Sequence, residues 1–116
     1  MRFQTERPPK NARRIYSWRD LSHPTNAAMF NVTDRNGNQF EVWVKDDRRK
    51  VLEGLKRTPL YSASYCRLGY HVEHLRKAGC DIETLWFRND KETGRRTYGV
   101  YVLHGSVTLA ETEGAS

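Results

Sequence analysis

The chain has 116 residues, 37% of them hydrophobic, and 20 lysines and arginines against 14 acids give it a formal net charge of +6. That length suits one domain, and no apolar run approaches the roughly 20 residues of a bilayer span, so composition argues against a transmembrane protein and for a polyanionic partner. Two cysteines, Cys66 and Cys80, are too few for a disulfide framework, and the start MRFQTERPPKNARR carries no apolar signal segment, so a reducing cytoplasm is the expected compartment.

Residues 1–24 carry Arg2, Arg7, Lys10, Arg13, Arg14 and Arg19 against Glu6 and Asp20, with Pro8 and Pro9 among them. This composition predicts a flexible basic arm whose Arg13 and Arg14 add phosphate contacts. Tyr16 and Trp18 are unusual in such an arm, and they predict that part of 15–21 folds back onto the domain.

Residues 28–33 and 39–44 flank Asn36-Gly37, two residues that tolerate positive φ, so a β-hairpin is expected. Phe30 and Val32 share one face with Phe40, Val42 and Val44. A lone hairpin is marginal in water, so this ribbon should cover the helices or form the surface of a homodimer. Asp46 and Asp47 then offer N-caps for a helix reaching Arg57, with Val51, Leu52 and Leu55 buried and Pro59 blocking its extension. Between Pro59 and Tyr65 there is room for a turn or a very short helix.

Tyr65, Leu68, Val72 and Leu75 follow at helical spacing and should face inward. The opposite side carries Arg67, Tyr70, His71, His74 and Lys77, with Glu73 placed to pair with Lys77 four residues on. Gly79 ends the helix. Strands are expected over 81–87 and 99–103, joined by the tip RNDKETGRR, where Lys91, Arg95 and Arg96 are candidate phosphate contacts and Asp90 and Glu92 oppose them. Val107 and Leu109 suggest a last strand, and 110–116 a disordered tail. Residues 25–109 would form the single domain.

The order helix, turn, helix, basic-tipped hairpin resembles the winged-helix family, a helix-turn-helix variant with a β-hairpin wing. The stretch SASYCRLGYHVEHLRKAGCDIET is similar to small bacterial winged-helix domain proteins in which a Leu-Arg pair precedes a glycine and an I-x-T strand, here Leu75, Arg76, Gly79, Ile82 and Thr84. The likeness covers about 55 residues from Asp47. It implies an α+β winged helix, here with an additional N-terminal hairpin, whose recognition helix enters the major groove of double-stranded DNA.

Arg67 and His71 are then the base-reading candidates, with wing and arm on phosphates. The implied role is a transcriptional regulator or an accessory factor of a mobile element. A protein-interaction module and a structured-RNA binder would use the same cations. Cys66, His71, His74 and Cys80 lack the spacing of a closed zinc site. With no phosphate loop and no G-x-S-x-G elbow, neither an enzyme nor a cofactor protein is expected. Trp43 and Trp86, one in each hairpin, are expected to anchor the core or an interface.

Overall fold

The computed structural model describes residues 2–21 and 24–110. It is a small α+β fold in which two helices lie with two three-stranded antiparallel sheets. The strands β1 (Ala28–Thr33) and β2 (Gln39–Val44) form the expected hairpin, Gly37 taking the positive φ of its turn. The last strand, β6 (Ser106–Leu109), pairs with the other edge of β1, giving the order β2-β1-β6. The second sheet, ordered β3-β5-β4, joins β4 (Ile82–Arg88) and β5 (Thr97–Leu103) to a two-residue strand, β3 (Leu60–Tyr61). Two residues carry no periodicity, and β3 had no sequence signal.

The helix α1 (Asp46–Arg57) has its expected limits and buries Val51, Leu52 and Leu55. Its N-cap, however, is Lys45, with no side-chain cap bond. Asp46 instead adopts a left-handed φ of 54° while its N–H donates to the Thr25 carbonyl. Both aspartates remain in the first turn, where negative charge suits the helix dipole.

The helix α2 (Leu68–Ala78) starts three residues later than its apolar spacing suggests. Tyr65 stays outside because its N–H donates to the Ile15 carbonyl and its ring stacks on Tyr16. Residues 62–66 form bends rather than a helix. Ser62 and Ser64 hold those bends: the Ser62 hydroxyl accepts the Gly99 N–H, and the Ser64 hydroxyl accepts the Ile15 N–H and donates to the Tyr61 carbonyl.

The main core gathers Phe30, Val32, Val42, Val44 and Val107 from the first sheet against Val51, Leu52, Leu55, Val72 and Leu75 of the helices. The hairpin thus covers the helices, as one of its two expected placements required. Where α2 ends, Gly79 takes φ 120° and a Cβ there would lie 2.5 Å from the Phe40 ring, so the glycine is what lets the hairpin seat. Beside it Arg35 of the hairpin turn holds Asp81 in a two-pronged pair, with both N···O distances 2.8 Å. Those hydrogen bonds outweigh burial and hold the Asp81 carboxyl at about 2.

A carboxyl held low stabilises the fold above its ordinary value of 3.8, and that contribution disappears as pH falls toward about 2. Arg35→Gln should therefore flatten the acid limb of the stability profile in this window, which urea titrations between pH 5 and 2 would measure.

Residues 15–21 fold back onto the domain as Tyr16 and Trp18 led us to expect, and the rest of the expected flexible arm, 2–14, lies along the domain as well. Phe3 bridges to Trp86 at the edge of β4, and Arg13 bridges to Leu60 at the edge of β3, so the segment straps across the second sheet from one edge to the other. Beneath it Ala63, Phe87, Tyr98 and Val100 form a second small cluster, with Ala12 packed on it. Ile15 and Leu21 are fully buried in the main core. At roughly 1.5–3 kcal/mol for each such side chain, they bind the strap to the fold. Leu21 is seated by Gly54, where a Cβ would lie 2.7 Å from the leucine's Cδ2. The domain accordingly begins well before residue 25. The expected tail beyond Ala110 lies outside the described residues; Ala110 itself is buried and donates its N–H to the Met29 carbonyl.

Candidate nucleic-acid interface

The outer side of α2 is aromatic and cationic. Arg67, at its N-cap, is exposed, as is Lys77 near its far end. Ten residues at 1.5 Å each place them about 15 Å apart along the axis. Tyr70 is half exposed between them, with the Arg67 guanidinium 5.6 Å and the Arg48 guanidinium of α1 5.7 Å from its ring centroid, inside cation–π range. The Tyr70 ring is met edge-on by His74 at 4.6 Å and by His71 at 5.2 Å.

His71 is less available than its helical position suggests. It is half-buried, Trp18 packs edge-on at 5.5 Å, and Arg48 Nε donates to its Nδ1 over 3.4 Å. Burial, then the Arg48 charge, pushes its pKa down. At neutral pH it is therefore an uncharged imidazole, with Nδ1 accepting and its proton on Nε2. Glu73 pairs with Arg76 at 2.6 Å and not with Lys77, because Arg76 is already held over the sheet by the Ile82 carbonyl and the Thr84 hydroxyl. Among the described residues Lys77 is left without a carboxylate partner as a result.

The tip between β4 and β5 is a built turn. Asn89 and Gly94 take positive φ, and the N–H groups of Asn89 and Asp90 donate across to the Arg96 and Arg95 carbonyls. Asp90 is buried at its centre, its carboxylate accepting from the Glu92 N–H, the Thr93 hydroxyl and, at 2.9 Å, the Arg14 guanidinium. Burial opposes ionisation, yet these donors hold the Asp90 pKa below its ordinary value. Arg14 also donates to the Ala63 carbonyl and lies 4.5 Å over the Tyr61 ring. It is thus an internal counter-ion and not a phosphate contact, and Asp90 is neutralised instead of opposing the tip's cations. Arg13 stays at the surface, donating to the Asp20 carbonyl.

Tyr16 ties the tip to the entrance of α2. Its hydroxyl donates to Glu92 over 3.2 Å, and its ring stacks on Tyr65 at 5.3 Å with both rings more than half exposed. Lys91, Arg95, Arg96 and Arg67 are exposed around this junction. Among the described residues none of these four, nor Lys77, has a carboxylate within ion-pair distance. Sequence reasoning missed Tyr65, placed inside the helix as a core residue, and Arg48, whose approach to α2 is purely tertiary. Tyr16 was flagged only by its presence in a polar segment.

No group of three or more His, Cys, Asp or Glu side chains among the described residues is placed to hold a metal ion. Burial pushes the Cys66 thiol up and the Cys80 thiol to about 11. No helix among the described residues is long and apolar enough to cross a membrane. Compared with known proteins, the chain matches no protein-family model, no curated protein and no solved structure.

Proposed function

We propose that this chain is a winged-helix protein that binds double-stranded DNA, as a transcriptional regulator or an accessory factor of a mobile element. The observation that carries the reading is the set of cations at the start of α2 and on the tip that have no carboxylate partner among the described residues, joined by the Tyr16–Tyr65 stack. Supporting it, the order α1, bends, α2, hairpin is that of the winged-helix resemblance, with β3 extending the wing into a three-stranded sheet. A helix of about 10–12 Å diameter fits a major groove about 12 Å wide. Arg67, leading the helix, is the base-reading candidate, and His74 and Tyr70 lie along the same side. Lys91, Arg95 and Arg96 hold phosphates.

In this reading Arg67→Ala lowers affinity unevenly across sequences, by about 1–3 kcal/mol at a preferred site. Arg95→Ala and Arg96→Ala weaken all sequences alike and reduce the salt dependence by about one charge each. Anisotropy titrations on a selected and a scrambled duplex separate the two behaviours. Uniform loss in all three variants would reduce α2 to a backbone contact and remove the major-groove assignment.

A further inference from the structure

We propose that a second copy of this chain docks along the outer edge of β2, joining two first sheets into one six-stranded sheet through an antiparallel pair centred on Trp43. The inference does not depend on DNA binding.

The outer edge of β2 is open and oriented. Asp34 N–H donates to the Asn38 carbonyl, so the pairs alternate from there along the hairpin register, and Phe40, Val42 and Val44 turn their backbone groups toward β1. Gln39, Glu41 and Trp43 therefore point theirs outward. No hydrogen bond among the described residues reaches those outward groups, and all three residues are exposed, Trp43 to 66%.

Of the devices that keep exposed strands apart, this edge carries only the charge of Glu41. Its six residues, QFEVWV, contain no proline and no lysine, and its register has no bulge. The opposite edge, β6, has only four residues.

Charge and register select the occupant. In an antiparallel pair of identical strands, residues facing one another share a face, so the dyad must fall on a residue. Centred on Glu41, the pair sets two carboxylates together, and centred on Val42 it faces each Glu41 with an indole and gives it no cation directly opposite. Centred on Trp43, it sets indole against indole and Val42 against Val44 of the second copy, and it places Glu41 opposite Lys45 of the second copy twice over. Lys45 retains extended backbone, φ −150° and ψ 170°, so the strand direction persists to that position. Met29, across from Trp43 on β1, widens the apolar contact beside the dyad. An edge-to-edge contact is smaller than the roughly 1,200–2,000 Å² of stable interfaces, so the association should be weak, in the micromolar range.

Sedimentation velocity of the full chain without nucleic acid, over a concentration series reaching about 500 µM, tests this. The parent chain is expected to shift from monomer to dimer. Glu41→Lys and Lys45→Glu, both at exposed positions and each checked for folding by circular dichroism, should remain monomeric, since each brings like charges together twice. An equimolar mixture of the two variants should dimerise again, because every facing pair then carries opposite charges. A parent chain that stays monomeric throughout, a variant as dimeric as the parent, or a mixture no more dimeric than its components would overturn the proposal.

Discussion

Arg14→Ala is expected to lower the unfolding free energy by about 3 kcal/mol or more, a large part of the total for a domain of this size. Among the described residues the guanidinium is the only cation paired with Asp90, whose side chain is 4% exposed, and removing it strands a carboxylate inside the tip. Asp90→Ala should be similarly costly, since it orphans a guanidinium only 11% exposed and releases the Glu92 N–H and the Thr93 hydroxyl. The double variant should lose less than the two single losses added together, because no charge is then left unpaired. Urea unfolding of the four proteins gives this cycle. Amide exchange should also rise locally at Lys91, Arg95 and Arg96, since the pair fixes the turn that presents them. Because the Asp90 pKa is lowered in the fold, its share of stability is complete above the ordinary aspartate value and declines below it.

Gly105→Ala is expected to cost about 2–5 kcal/mol, summing a left-handed backbone penalty and overpacking. Gly105 turns β5 into β6 with φ 74°, and a Cβ there would lie 2.0 Å from the Thr33 carbonyl oxygen, a backbone atom that cannot swing aside. The join between the two sheets depends on that approach. Gly37→Ala is the control, since φ is 89° but nothing lies within 4 Å of its Cβ position. It should cost only about 1–2 kcal/mol, and thermal unfolding would rank the two.

Elements with strong local signals were legible in the sequence. The Asn36-Gly37 hairpin and α1 fall where turn chemistry and the Val51, Leu52, Leu55 stripe place them, and β4 and β5 differ from expectation by one or two residues. What local pattern could not supply was the partner of each polar group. Arg14 and Asp90 are 76 positions apart, and each alone reads as solvated surface. Tyr65 fits an inward helical spacing, yet the Ile15 carbonyl and the Tyr16 ring hold it outside the helix. The return of 15–21 to the domain was legible from Tyr16 and Trp18, but the course of 2–14 across the sheet was not, because prolines and charges dominate that stretch and its contacts are isolated backbone bridges. For the candidate interface, Arg67, Tyr70, His74, Lys77 and the tip cations were legible as an exposed set. The withdrawal of Arg14 and the shielding of His71 were not, since both follow from packing between distant segments.

The central claim is that the cations of α2 and the tip form one duplex-binding surface. The most direct test is fluorescence anisotropy of the full chain with a random-sequence DNA duplex and a matched RNA hairpin across a salt series. Five free cations in contact predict a logarithmic salt slope of roughly −4 to −5 on DNA, shallower once Arg95 and Arg96 are removed, and weaker binding to the RNA hairpin. A folded sample that binds neither nucleic acid at low salt, or binds DNA with a slope unchanged by removing those arginines, would contradict it.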